Sequence, residues 1–171
     1  MHNVTHMAQV SLEEAEGWAR EGRRFHSRGE HHRALELLHR SCEAVPGRSR
    51  LELDTAELAR RLGKHELAVY HCRRAAAAYQ REGFARHALA PLRTALHLEQ
   101  SRLPESAESV TTIARELAQA LVNLGFAGDA RQVIESSAGA FEERELPVPA
   151  ALDSLRAPAP SRLAQPDARL S

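Results

Sequence analysis

The sequence predicts an all-α fold, an array of antiparallel helix hairpins, and three observations carry that prediction. A glycine followed five residues later by an alanine occurs four times, as Gly29 and Ala34, Gly63 and Ala68, Gly83 and Ala88, Gly125 and Ala130. Each glycine ends an amphipathic run of helical period, and each alanine lies early in the next run. A helix C-cap followed by a close helix crossing requires both features. The third observation is length: 171 residues suffice for one domain, or for a short repeat array with a tail.

The elements follow in order. Ser11 followed three residues later by Glu14 fits the capping box, so the first helix starts near Leu12 and runs to His26 or Ser27. The second, about His32 to Glu43, sets Ala34, Leu37, Leu38 and Ser41 on one face and stops before Pro46-Gly47. A third run, Leu51 to Leu62, is alanine-lined and ends at Gly63. The fourth, Glu66 to Glu82, contains four consecutive alanines, Ala75 to Ala78, which favour helix, and Gly83 closes it. The fifth, about Ala85 to Glu99, holds Pro91. Proline is harmless in a first turn and costs about 3 kcal/mol in a helix interior, so this helix starts late, near Ala88, or kinks. A sixth run, Ser106 to Leu124, leads through Gly125 into a seventh, about Ala127 to Glu143.

From Leu146 onward the composition changes, with five of the eight prolines and no periodic apolar face. Such a segment buries too little to offset the entropy of ordering. The expected organisation is therefore an N-terminal extension over 1–11, a helical repeat domain over 12–144 and a Pro/Ala-rich disordered tail over 145–171, with a transient helical turn at Ala150 to Leu155. Deleting 147–171 is expected to leave stability unchanged.

The first two glycine and alanine pairs lie 34 residues apart, which is the period of tetratricopeptide repeats. Trp18, Gly22, Phe25, Ala34 and Pro46 stand at that family's tryptophan, glycine, aromatic, second-helix alanine and terminal proline, with Leu38 at its phenylalanine. Only Glu21 departs, where leucine is usual. A second repeat over about 49–82 offers Ala56, Ala59, Gly63, Ala68 and Cys72, and another over about 111–144 offers Leu117, Ala118, Leu121, Gly125, Ala130 and Ile134. The third pair follows the second by only 20 residues, so the fourth helix must close one hairpin and open the next, with Ala76 and Tyr79 at the small and aromatic places. Over 12–144 the chain thus resembles an irregular, short tetratricopeptide array. The resemblance implies a right-handed superhelical solenoid of about seven helices.

Composition narrows the function. Acidic and basic residues both number 23, so bulk charge argues for neither nucleic acid nor an anionic membrane surface, and aromatics are too few for a base-stacking platform. Charge does segregate: residues 51–104 hold nine basic and six acidic side chains, net +3, and 105–146 hold three and eight, net −5. The N-terminus has no secretory pattern and no apolar stretch reaches membrane-spanning length, which points to a cytoplasmic protein without membrane insertion. Arginine supplies 22 of the 23 basic residues, a bias expected of a GC-rich, bacterial genome. Cys42 and Cys72 read as reduced, helix-packing thiols. The ten histidines show no zinc-ligand spacing and read as solvated, while His65-Glu66 fails the H-E-x-x-H pattern because Val69 stands at its second histidine. No nucleophile elbow or phosphate loop precedes a helix. The expectation is therefore no enzyme, no metal and no cofactor.

The resemblance implies a protein-protein interaction module, a scaffold or adaptor whose concave face is lined by first helices. The residues following the tryptophan, small and aromatic places form one stripe: Ala19, Arg23 and His26; Leu53, Glu57 and Arg60; Arg73, Ala77 and Gln80 with Arg81; Arg115, Gln119 and Val122 with Asn123. The partner-binding residues expected are Arg23, His26, Glu57, Arg60, Arg73, Gln80, Arg81, Arg115, Gln119 and Asn123. Arginines fork bidentately to carboxylates, so the expected ligand is an acidic peptide or acidic partner helix. Arg23 and Glu57 replace the asparagines of the family's carboxylate clamp, which argues against chaperone-tail ligands. The alternatives are a self-assembling structural element, stacking as a homodimer, and a small bacterial secretion-type chaperone.

Overall fold

The computed structural model describes residues 10–156. Its elements are α1 (Leu12–Ser27), α2 (His31–Ala44), α3 (Ser49–Arg61), α4 (His65–Arg81), a 3-10 turn (Ala85–Ala88), α5 (Leu89–Gln100), α6 (Ala107–Asn123), α7 (Ala127–Glu142) and α8 (Ala150–Arg156). The capping box forms as the sequence requires: Glu14 N–H donates to Ser11 Oγ at 3.1 Å, and Ser11 N–H donates to Glu14 Oε2 at 3.1 Å.

Gly29, Gly63, Gly83 and Gly125 all have φ between 69° and 84°. In each case the following amide reaches back five residues, as Glu30 to the Phe25 carbonyl at 3.0 Å and Phe84 to that of Tyr79 at 2.8 Å. That left-handed closure satisfies the last carbonyls of one helix and turns the chain into the next. The paired alanines then make the crossings: Ala34, Ala68 and Ala88 are fully buried and Ala130 nearly so. Pro91 sits in the first turn of α5, where its missing N–H costs nothing, and the 3-10 turn before it takes up the late start. The third helix begins at Ser49, earlier than its apolar pattern indicates, because Ser49 Oγ–H donates to Glu82 Oε2 at 2.8 Å from the far end of α4.

Hairpins α1/α2, α3/α4 and α6/α7 are the closest pairings, and α4 also packs along α5, so it serves two hairpins as the 20-residue spacing requires. One core runs through the stack, including Leu38 of α2, Leu51 and Leu58 of α3, Leu92 of α5, Ile113 and Leu117 of α6 and Phe141 of α7.

The C-terminal boundary differs from the sequence expectation. Within the stretch expected to be disordered, α8 folds back on α7 and α6, its Leu152 is wholly buried, and Leu146 and Val148 pack on the core. The turn that redirects the chain is held by Glu145 at φ 56°, with Leu146 N–H donating to the Phe141 carbonyl at 2.9 Å. One well-placed leucine suffices here without a repeating pattern. Residues 157–171 of the expected tail, and 1–9 of the N-terminal extension, lie outside the described residues.

Candidate functional site

A cleft of about 920 Å³ opens between α4 and α6. Its floor is apolar, made by Ala76 and Ala77 of α4, Ala120 of α6 and Leu92 of α5, which lies between them. Small residues at the floor keep the trough open. The rim is polar: Arg73 and Gln80 on α4, and Arg115, Glu116, Gln119 and Asn123 on α6. Spacings of seven along α4 and of four along α6 put each set on one helix face.

Of the residues expected in the groove, the structure therefore brings Arg73, Gln80, Arg115, Gln119 and Asn123 together. Their states differ. Arg73 is engaged across the cleft by Glu116, through Nε–H at 3.2 Å and Nη2–H at 2.5 Å. Arg115 is exposed and forms no ion pair among the described residues. Gln119 Nε2–H donates to Asn123 Oδ1 at 2.8 Å, which leaves the Gln119 carbonyl and the Asn123 amino group to face outward.

The other five lie elsewhere. Arg23 is exposed on α1, outside the cleft, and Ala19 of the same stripe is buried in the core. His26 is half-buried, its ring 5.1 Å from that of His31 and its Nδ1 without a hydrogen bond among the described residues. Glu57 accepts from Arg60 Nε–H and Nη2–H, both at 2.9 Å, and from Arg61 Nε–H at 2.8 Å. Those bonds, Arg60's first, hold the Glu57 carboxyl below the usual carboxylate range. Arg81 is exposed and bonds the Ala77 carbonyl of its own helix at 3.3 Å. Sequence reasoning missed Glu116, the acidic partner within the cleft, because it stands 43 residues from Arg73 and nothing local links them.

A second convergence lies inside the stack, where α2, α3 and α4 meet. Glu52 and His71 are both wholly buried, with His71 Nδ1 at 2.6 Å from Glu52 Oε2, which corrects the reading of the histidines as solvated. A carboxylate has no proton to give, so His71 Nδ1–H donates to it and the ring's Nε2 accepts from His39 Nδ1–H at 2.9 Å. Burial, and then the neighbouring His71, hold His39 below the ordinary imidazole value. Arg74 Nη2 lies 2.8 Å from Glu52 Oε1, an ion pair by distance, yet that oxygen accepts no well-directed hydrogen bond. The Arg74 guanidinium instead donates to the Cys42 carbonyl at 2.7 Å and to Tyr70 Oη at 2.6 Å, and pairs with Glu43. Beside the carboxylate, the Cys42 sulphur is 3.5 Å from Thr55 Oγ1, and burial pushes its thiol up to about 12.

No protein-family model matches the chain, and no curated protein matches it. Eighteen chains of solved structures match. One of them, described as MamA MSR-1 C2, is 18% identical at a TM-score of 0.34, covering 82% of this chain and 83% of that one.

Proposed function

We propose that the chain is a non-enzymatic protein-interaction module, a scaffold or adaptor that takes an acidic amphipathic helix or peptide into the α4/α6 cleft. The observation that carries this reading is the pairing of an apolar floor with a rim whose one charge unpartnered among the described residues is the Arg115 guanidinium. A helix-in-groove partner would set small apolar side chains on Ala76, Ala77, Ala120 and Leu92, and a carboxylate against Arg115. Gln119 and Asn123, at the end of the same rim, supply an acceptor and a donor for a partner's polar groups. The motif resemblance over 12–144 supports the same class of function.

The test uses fluorescence anisotropy with labelled amphipathic helical peptides of matched apolar face, one acidic and one with its acids replaced by lysine. Saturable binding of the acidic peptide, weakened at least tenfold by Arg115→Glu and weakened by salt, supports the reading. Equal binding of both peptides, or no effect of Arg115→Glu, removes it. Sedimentation of the free protein tests the self-assembling alternative: a dimer broken by Arg115→Glu would put a second copy in the cleft.

A further inference from the structure

We propose that Cys42, Glu52 and His71 form a binding site for a divalent transition-metal ion, zinc by its donor set, at the junction of α2, α3 and α4. One ligand atom from each residue lies within 4.8 Å of the other two, and all three residues are buried. A tetrahedral zinc ion spaces sulphur, nitrogen and oxygen ligands about 3.3 Å apart. Glu52 Oε2 and His71 Nδ1, now 2.6 Å apart, would open slightly, and the Cys42 sulphur would move in. The thiolate and imidazole select zinc over magnesium or calcium, which take oxygen ligands.

Three further features fit. Each ligand already has the outer partner that metal ligands carry: His39 on the far nitrogen of His71, Arg74 beside the second oxygen of Glu52, and Thr55 against the Cys42 sulphur. The Glu52 carboxylate is fully buried, and a cation bound at Oε2 would compensate a charge that is costly to keep out of water. Charge also balances. A dication is neutralised by the Cys42 thiolate and the Glu52 carboxylate, while Arg74 remains paired with Glu43.

The proton inventory is simple. Cys42 gives up its thiol proton to solvent. His71 releases its Nδ1 proton to solvent when Nδ1 binds the metal and takes a proton on Nε2 from His39 Nδ1, and His39 takes up a proton from solvent on its Nε2 and stays neutral. One proton leaves per ion bound, so affinity rises with pH. The fourth position falls to water. The ion would tie the first hairpin to the second, because Cys42 belongs to α2 and the other two ligands to α3 and α4.

Cobalt(II) titration of the purified full-length chain is the test. One equivalent should produce a thiolate-to-cobalt charge-transfer band, which zinc bleaches, which Cys42→Ser abolishes and which Cys72→Ser retains. His39→Ala should keep the band and weaken binding by about 10–100-fold, as loss of an outer-shell partner does. Should Cys42→Ser fail to fold, X-ray absorption of the zinc-loaded wild-type chain decides, with one sulphur expected at about 2.3 Å. Binding without a sulphur signature, or a band that survives in Cys42→Ser, would locate the ion elsewhere, for example at the exposed His31 and His32, and overturn the proposal. No stoichiometric binding at all would overturn it equally.

Discussion

Gly22 of α1 lies so close to Leu38 of α2 that a Cβ built on it would come within 2.9 Å of the Leu38 Cγ and 3.2 Å of the Ala34 carbonyl oxygen. A Cβ at such a distance would force Leu38 to shift, so the crossing of the first hairpin favours glycine at this helix position despite its poor helix propensity. Gly22→Ala should gain about 1 kcal/mol of propensity and lose about 1–3 kcal/mol to overpacking, a net destabilisation. Leu38→Ala alone should cost about 2–5 kcal/mol. In the double variant the inserted methyl fills space vacated by the leucine, so urea unfolding should show a loss well below the sum of the two. Strict additivity would mean that the two residues do not meet.

The chain reversal after α7 uses Glu145 at φ 56°, the same left-handed closure for which the earlier helices use glycine. A side chain in that region is strained by about 1 kcal/mol, so Glu145→Gly should raise stability by about that amount. The matching control is Gly63→Ala. A Cβ there meets nothing within 4 Å, yet φ is 69°, so any loss reports backbone strain alone. A thermal midpoint that falls in Glu145→Gly would show that its carboxylate contributes more than its backbone costs.

Helix α8 is only seven residues long and is held by Leu152, which is wholly buried, and by an Arg156 to Glu142 ion pair at 2.6 Å. The ion pair is half-exposed and contributes little. Leu152→Ala should therefore destabilise by about 2–3 kcal/mol, while Arg156→Ala stays within about 0.5 kcal/mol. If both variants melt with the wild type, α8 does not belong to the cooperative unit.

The parts that were legible in the sequence are those governed by local spacing. Glycines at helix ends, alanines at crossings and the 20-residue interval that makes α4 serve twice are chain-neighbour effects, and so is the alignment of Arg115, Gln119 and Asn123 on one helix face. What was not legible depends on distant residues meeting. Glu116 captures Arg73 from 43 residues away, and Cys42, Glu52 and His71 converge from three helices without any motif spacing. Arg23 and Arg60 satisfied the stripe rule and still fall outside the cleft, because periodicity gives a face and not its neighbours. Leu152 escaped for the opposite reason: a single anchor leaves no period to detect.

Burial pushes both thiols, Cys42 and Cys72, up to about 12. At pH 8 the thiolate fraction of either is then on the order of 10⁻⁴, against roughly a quarter for a free cysteine. Alkylation of the folded chain by iodoacetamide should consequently proceed through opening, with a rate that climbs as urea approaches the unfolding midpoint. Mass spectrometry of quenched samples measures it. Labelling of Cys72 at the free-thiol rate in native buffer would contradict its burial in the α3/α4 interface.

The cleft makes a prediction about charge that separates binding from mere exposure. Arg115 has no acidic partner among the described residues, whereas Arg73 is held in a two-pronged pair by Glu116. An incoming carboxylate meets Arg115 without competition but must displace Glu116 to reach Arg73. With an acidic amphipathic peptide, Arg115→Glu should weaken binding at least tenfold, a change of about 1.4 kcal/mol or more. Glu116→Gln should act the other way: it releases Arg73 and removes a like charge from the rim, so affinity should rise several-fold, mainly through faster association. Arg23→Glu lies outside the cleft and should be silent. Because rim charges are screened, the gap between these variants should shrink as the Debye length falls from about 10 Å at 0.1 M salt to about 3 Å at 1 M. Weaker binding in Glu116→Gln would mean that the Arg73 to Glu116 pair organises the cleft for its partner and does not compete with it. Carboxylate capture would then rest on Arg115 alone.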